Sequence, residues 1–234
     1  MSPEQGFNPH KAAEAYLPLM HELVIRTDLV AQACDGRLGL SPPFAREFSY
    51  LQFRRICELI ALGCLYLHGD LPIAQGSALK KEWNAEKIMK LLRTNYPSAF
   101  PQSAIFTQSN EGSSVECNCK ADALSYREFV QLSNECGAVL HRGTIRTVHS
   151  TSFCSEEDYE KVLTWQLKIV RLMEQHVITR ANQKGYYLTS IRTLSGYPEC
   201  SVIDLIGADG IAVHTVKMIV GDDVMHSYVS NKRK

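Results

Sequence analysis

The stretch that decides the fold is Ser41–His68, S-P-P-F-A-R-E-F-S-Y-L-Q-F-R-R-I-C-E-L-I-A-L-G-C-L-Y-L-H, which breaks at Gly69-Asp70. Ser41 is a helix-capping residue type. Pro42 or Pro43 suits a first helical turn, where a missing N–H costs no hydrogen bond. From Ile56 to Leu67 every residue is apolar or glycine except Glu58. A helix apolar nearly all round has to be enclosed by other elements, and this run is shorter than the roughly 20 residues that cross a bilayer. It predicts the central helix of a helical core. A carboxylate in such a core is costly unless paired, and Arg54 and Arg55, four and three residues earlier, can reach Glu58 along the helix surface. Glu58 is therefore either a structural ion pair at the margin of the core or a carboxylate held near a site from a neighbouring helix.

Working outward, Asn8-Pro9 opens a first helix that Pro18 should kink or restart and Asp35-Gly36 stops. Beyond the connector 69–78, a third helix is expected over Leu79–Asn95, with Trp83, Ile88, Leu91 and Leu92 as its apolar stripe. Residues 104–119 read as a hairpin around the turn S-N-E-G. Ser125 and Glu128 have capping-box spacing and start a helix through Phe129, Leu132, Cys136 and Leu140. Ser155-Glu156-Glu157-Asp158 caps a long amphipathic helix expected to reach about Arg180. After Gly185 the period becomes strand-like in Y-Y-L-T-S-I-R, S-V-I-D-L-I-G and I-A-V-H-T-V-K-M-I-V, separated by turn formers. The expected fold is α+β: a mainly helical bundle over 1–183 with the hairpin inserted at about 104–119, then an antiparallel meander and polar tail over 184–234.

Twenty-five basic residues balance 25 acidic ones, so no global field advertises nucleic acid, although a local patch can still bind it. Hydrophobic content of 45% and charged content of 21% suit a folded chain rather than a disordered one. The polar opening Met1–Asn8 has no signal-peptide core, and the eight cysteines are read as reduced thiols in a cytoplasm. Cys34, Cys57, Cys64 and Cys136 fall at helical core positions. Cys117-Asn118-Cys119 lacks a second pair at zinc spacing, so no metal and no cofactor are expected.

His141 is the leading candidate for chemistry. It lies at the end of L-S-N-E-C-G-A-V-L-H-R-G, with Asn134 seven residues before it on the same helical face and Gly137 leaving a notch. A helical hairpin with a polar residue and a histidine a turn or two later resembles the HEPN superfamily of helical RNA-cleaving and nucleotide-associated domains. The resemblance covers about residues 10–180. Its signature is an arginine, usually followed by a polar residue, then four to six residues, then a histidine. Here Asn134 stands where that arginine would be, and the Arg142–His149 spacing that also fits is interrupted by Gly143.

The resemblance implies a metal-independent ribonuclease, often dimeric, in RNA-related or defence biology. His141 would then move the 2′-hydroxyl or leaving-group proton, with Arg142, Arg146 or Arg55 holding the phosphate; these roles suit an imidazole and a guanidinium. Without the helical arginine, robust cleavage is not expected. The competing class is a non-catalytic interaction or dimerisation module, which the neutral charge and the open edges of a meander favour.

Overall fold

The computed structural model describes residues 6–76, 79, 81–109, 112–141, 156–206 and 210–218. Helix α1 (Pro9–Cys34) starts where the Asn8 side chain accepts from the backbone N–H groups of His10 and Lys11. It runs through Pro18 as one helix. Gly36 and Gly39, both at positive φ, turn the chain into α2 (Pro42–Leu67). A link this short makes the two helices antiparallel neighbours. Tyr16, Leu17, Met20 and Leu23 of α1 lie in the same buried cluster as Phe53, Ile56, Ile60 and Leu67 of α2. Gly63 admits the Tyr16 ring: a Cβ there would overlap Cε2 and lie 2.8 Å from Cδ2.

After the single turn α3 (Pro72–Gln75), α4 spans Ala85–Asn95. It starts later than the sequence predicts, because Asn84 caps it by accepting from the Lys87 N–H at 2.9 Å. Trp83 therefore precedes the helix and is exposed rather than lying on its apolar stripe. Leu91 also faces outward. Strands β1 (Gln102–Ser109) and β2 (Gly112–Cys117) form the expected hairpin. Helices α5 (Tyr126–Leu140) and α6 (Glu156–Met173) follow, and both pack on α2.

The last long helix ends at Met173, short of the expected Arg180. Gln175–Thr179 is strand β3, because the branched run Val177-Ile178-Thr179 alternates between the two faces of a sheet. β4 (Gly185–Ser190), β5 (Glu199–Ile206) and β6 (Gly210–Lys217) complete the meander. All six strands form one antiparallel sheet in the order β2-β1-β3-β4-β5-β6. The hairpin and the meander are thus joined through β3, and the division at 183/184 runs between two paired neighbours. Ile178, Tyr187, Cys200 and Val202 pack into the helical core. The opposite face carries a smaller cluster of Ala104, Val177, Leu188 and Ile203. Among the described residues no helix is long and apolar enough to cross a membrane.

Candidate functional site

Helix α5 is set in place by the capping box read in the sequence. The Ser125 hydroxyl accepts from the Glu128 N–H at 3.3 Å, and the Glu128 carboxylate accepts from the Ser125 N–H at 2.9 Å. Phe129, Leu132 and Cys136 are buried toward α2. Asn134 and His141 are both exposed. His141 is the cap residue rather than part of the last turn. Its φ of −89° and ψ of 129° leave the helix, while its N–H still donates to the Gly137 carbonyl at 3.1 Å. At 1.5 Å rise per residue it stands about 10 Å along the axis from Asn134. A Cβ at Gly137 would meet nothing within 4 Å, so that glycine leaves open surface between the two polar residues.

Beside Asn134, the Glu135 carboxylate accepts from Trp165 Nε1 at 3.0 Å and Gln131 Nε2 at 2.9 Å, and pairs with Lys161 at 3.1 Å. Burial alone would raise its pKa. Gln131, Lys161 and Trp165 together outweigh that and hold it below the usual carboxylate range. Sequence spacing did not single out Glu135, since three of its partners lie on α2 and α6; Tyr50 is the third, at 3.5 Å. Glu58 is an ion pair at the margin of the core: Arg55 meets one carboxylate oxygen at 2.7 Å and Arg54 the other at 3.4 Å. Its side chain keeps 18% exposure, so it is half-buried and fully engaged. Arg142 and Arg146, expected to hold a phosphate, lie outside the described residues, as does His149.

The other described histidines are engaged elsewhere. His176 is fully buried: its Nδ1–H donates to the Met173 carbonyl at 2.8 Å, which leaves Nε2 to accept from the Tyr16 hydroxyl at 2.6 Å. Burial pushes its pKa down to about 4. His68 is equally buried, with Nδ1 2.8 Å from the Cys64 carbonyl and Nε2 3.1 Å from the Thr179 carbonyl. A neutral ring carries one N–H and satisfies only one of those acceptors. Burial nonetheless lowers its pKa. His10 packs edge-on against His214, and the His21 ring lies tilted at 41° against Tyr197.

Among the described residues, no group of three or more His, Cys, Asp and Glu side chains is arranged to hold a metal. Cys117 and Cys119 are free thiols. In comparisons with known proteins, no protein-family model, no curated protein and no solved structure matches the chain.

Proposed function

We propose that this chain is a HEPN-like, RNA-acting helical module in which His141 is the proton-transfer residue. The observation that carries the reading is the contrast between His141 and the other described histidines. His68 and His176 are sealed in the core, and His10, His21 and His214 pack against rings. His141 alone among them is exposed with no ring or side-chain hydrogen-bond partner among the described residues. An imidazole so placed can take a proton from a ribose 2′-hydroxyl and return one to the leaving 5′-oxygen. Asn134 on the same helix offers an amide but no charge, so phosphoryl charge is weakly stabilised and the expected rate is low.

The test is ribonuclease activity in EDTA together with melting temperature, for the wild type and His141→Ala. The expected result is slow, EDTA-resistant cleavage that His141→Ala lowers by about 10²–10⁴-fold. The melting temperature should be nearly unchanged, because the exposed ring packs on nothing described. Equal cleavage by the two proteins, or none by either, overturns the assignment.

A second reading, an interaction module, is favoured by a separate observation. Leu205, Ile211 and Val213 lie 47%, 61% and 56% exposed on the outer face of β5 and β6, an apolar surface of the kind that marks interaction sites. It predicts concentration-dependent association, weakened by Val213→Lys and indifferent to His141→Ala. Sedimentation across a concentration series decides it.

A further inference from the structure

At the opposite end of α5 from His141, a groove of about 440 Å³ opens between the α4 end, the 3₁₀ turn Pro97–Ala99, the start of β1 and the loop before α5. Its volume is within the roughly 300–1,000 Å³ usual for small-molecule sites. Phe100, Leu124 and Leu172 give it an apolar floor, Ser103 is buried in its wall, and Gln102 and Asn118 form a polar rim, where Asn118 Nδ2 donates to Gln102 Oε1 at 3.3 Å.

The charges around it do not cancel. Asp122 pairs with Arg171 at 3.1 Å, Glu174 with Lys120 at 3.2 Å, and Glu128 with Lys168 at 2.9 Å. Arg93 is left over, with no carboxylate partner among the described residues. Its guanidinium is nevertheless held in position. Nε donates to the Pro97 carbonyl at 3.0 Å, and the guanidinium carbon lies 3.8 Å from the centroid of the Tyr126 ring. Tyr126 is backed in turn by Phe129, stacked at 6.4 Å, and by the edge of Phe100 at 5.7 Å. With Nε committed, the two terminal nitrogens remain as a fork, the geometry that binds an oxyanion bidentately. The α5 N-terminus does not compete for this role, because the Glu128 carboxylate already occupies it.

We propose that this groove is a binding site for a phosphate monoester, with Arg93 gripping the phosphoryl oxygens and the rim of Gln102 and Asn118 meeting the group it is attached to. The chemistry is shared by a free mononucleotide and by the 5′-phosphorylated end of an RNA. The site lies about 21 Å from the His141 end of the helix, at 1.5 Å per residue, and does not depend on His141 cleaving anything.

The test is calorimetric titration of the full chain with 5′-AMP, adenosine, and a short RNA bearing either a 5′-phosphate or a 5′-hydroxyl. These are repeated with Arg93→Gln and with Ser98→Glu, which places a carboxylate on the groove wall and leaves residue 93 unchanged. Phosphorylated ligands should bind at least about tenfold more tightly than their unphosphorylated partners. Arg93→Gln and Ser98→Glu should each remove that difference. A preference for AMP over the phosphorylated RNA assigns the free nucleotide, and the reverse assigns the RNA end. Equal binding of AMP and adenosine by the wild type overturns the proposal whether or not either variant folds. So does an undiminished phosphate preference in both folded variants.

Discussion

At the scale of single residues, the bond from Tyr16 to His176 ties α1 to β3 inside a dry core. Tyr16→Phe removes the donor and strands a buried ring nitrogen, which costs about 1–3 kcal/mol and should appear as a lower urea midpoint with an unchanged slope. The same histidine makes stability depend on pH. Its folded pKa of about 4 lies below the ordinary value of 6.5. Above pH 6.5 neither the folded nor the unfolded ring carries the extra proton, and the stabilisation is complete. Between 6.5 and 4 the unfolded chain takes up a proton that the folded ring refuses. At about 1.4 kcal/mol per pH unit, stability falls by roughly 3 kcal/mol across that interval and levels off beneath it. His68, lowered in the same direction by burial, adds to the loss. Urea unfolding at pH 7, 5.5 and 4.5 measures it, and a flat profile contradicts a neutral buried His176.

At the scale of elements, Gly63 inverts the usual rule for helix interiors. Replacing a mid-helix glycine by alanine ordinarily gains up to about 1 kcal/mol. Here the new methyl would strike the Tyr16 ring, which is itself buried and bonded to His176. Gly63→Ala should instead destabilise by about 1–3 kcal/mol, the cost of overpacking, and a rise in melting temperature would refute the contact.

Helices whose signals are local were legible in the chain. The Ser125–Glu128 box, the Asn8 cap and the apolar run of α2 each declare themselves within a few residues. Element ends decided by tertiary contact were not. The stretch Gln175–Thr179 continues the helical pattern of α6, and it becomes a strand because β1 and β4 lie on either side of it. Trp83 fits a helical stripe, but the Asn84 cap wins. Pro18 cannot donate to the Glu14 carbonyl, yet packing on α2 carries α1 through it.

At the scale of the whole molecule, the sheet gathers residues that the chain keeps far apart, which limits what sequence alone can say about sites. Glu58 and its arginines share one helix, so their pairing could be read directly. Tyr16 and His176 are separated by 160 residues, and Arg93 meets Tyr126 only because β1 and β2 loop out between them. Asn134 and His141, seven residues apart, are both exposed, one on α5 and the other at its cap, and neither supplies the guanidinium charge that the resemblance implies.

That absence provides the most direct measurement of the central claim. Asn134→Arg places a guanidinium two turns before His141 at an exposed position, where the substitution should cost little stability. If His141 moves the proton in RNA cleavage, this variant should cleave RNA in EDTA about 10²-fold faster than the wild type, in line with the worth of one well-placed charge on a transition state. The gain should vanish in Asn134→Arg combined with His141→Ala. Wild-type, single-variant and double-variant rates that cannot be distinguished would contradict the assignment of His141.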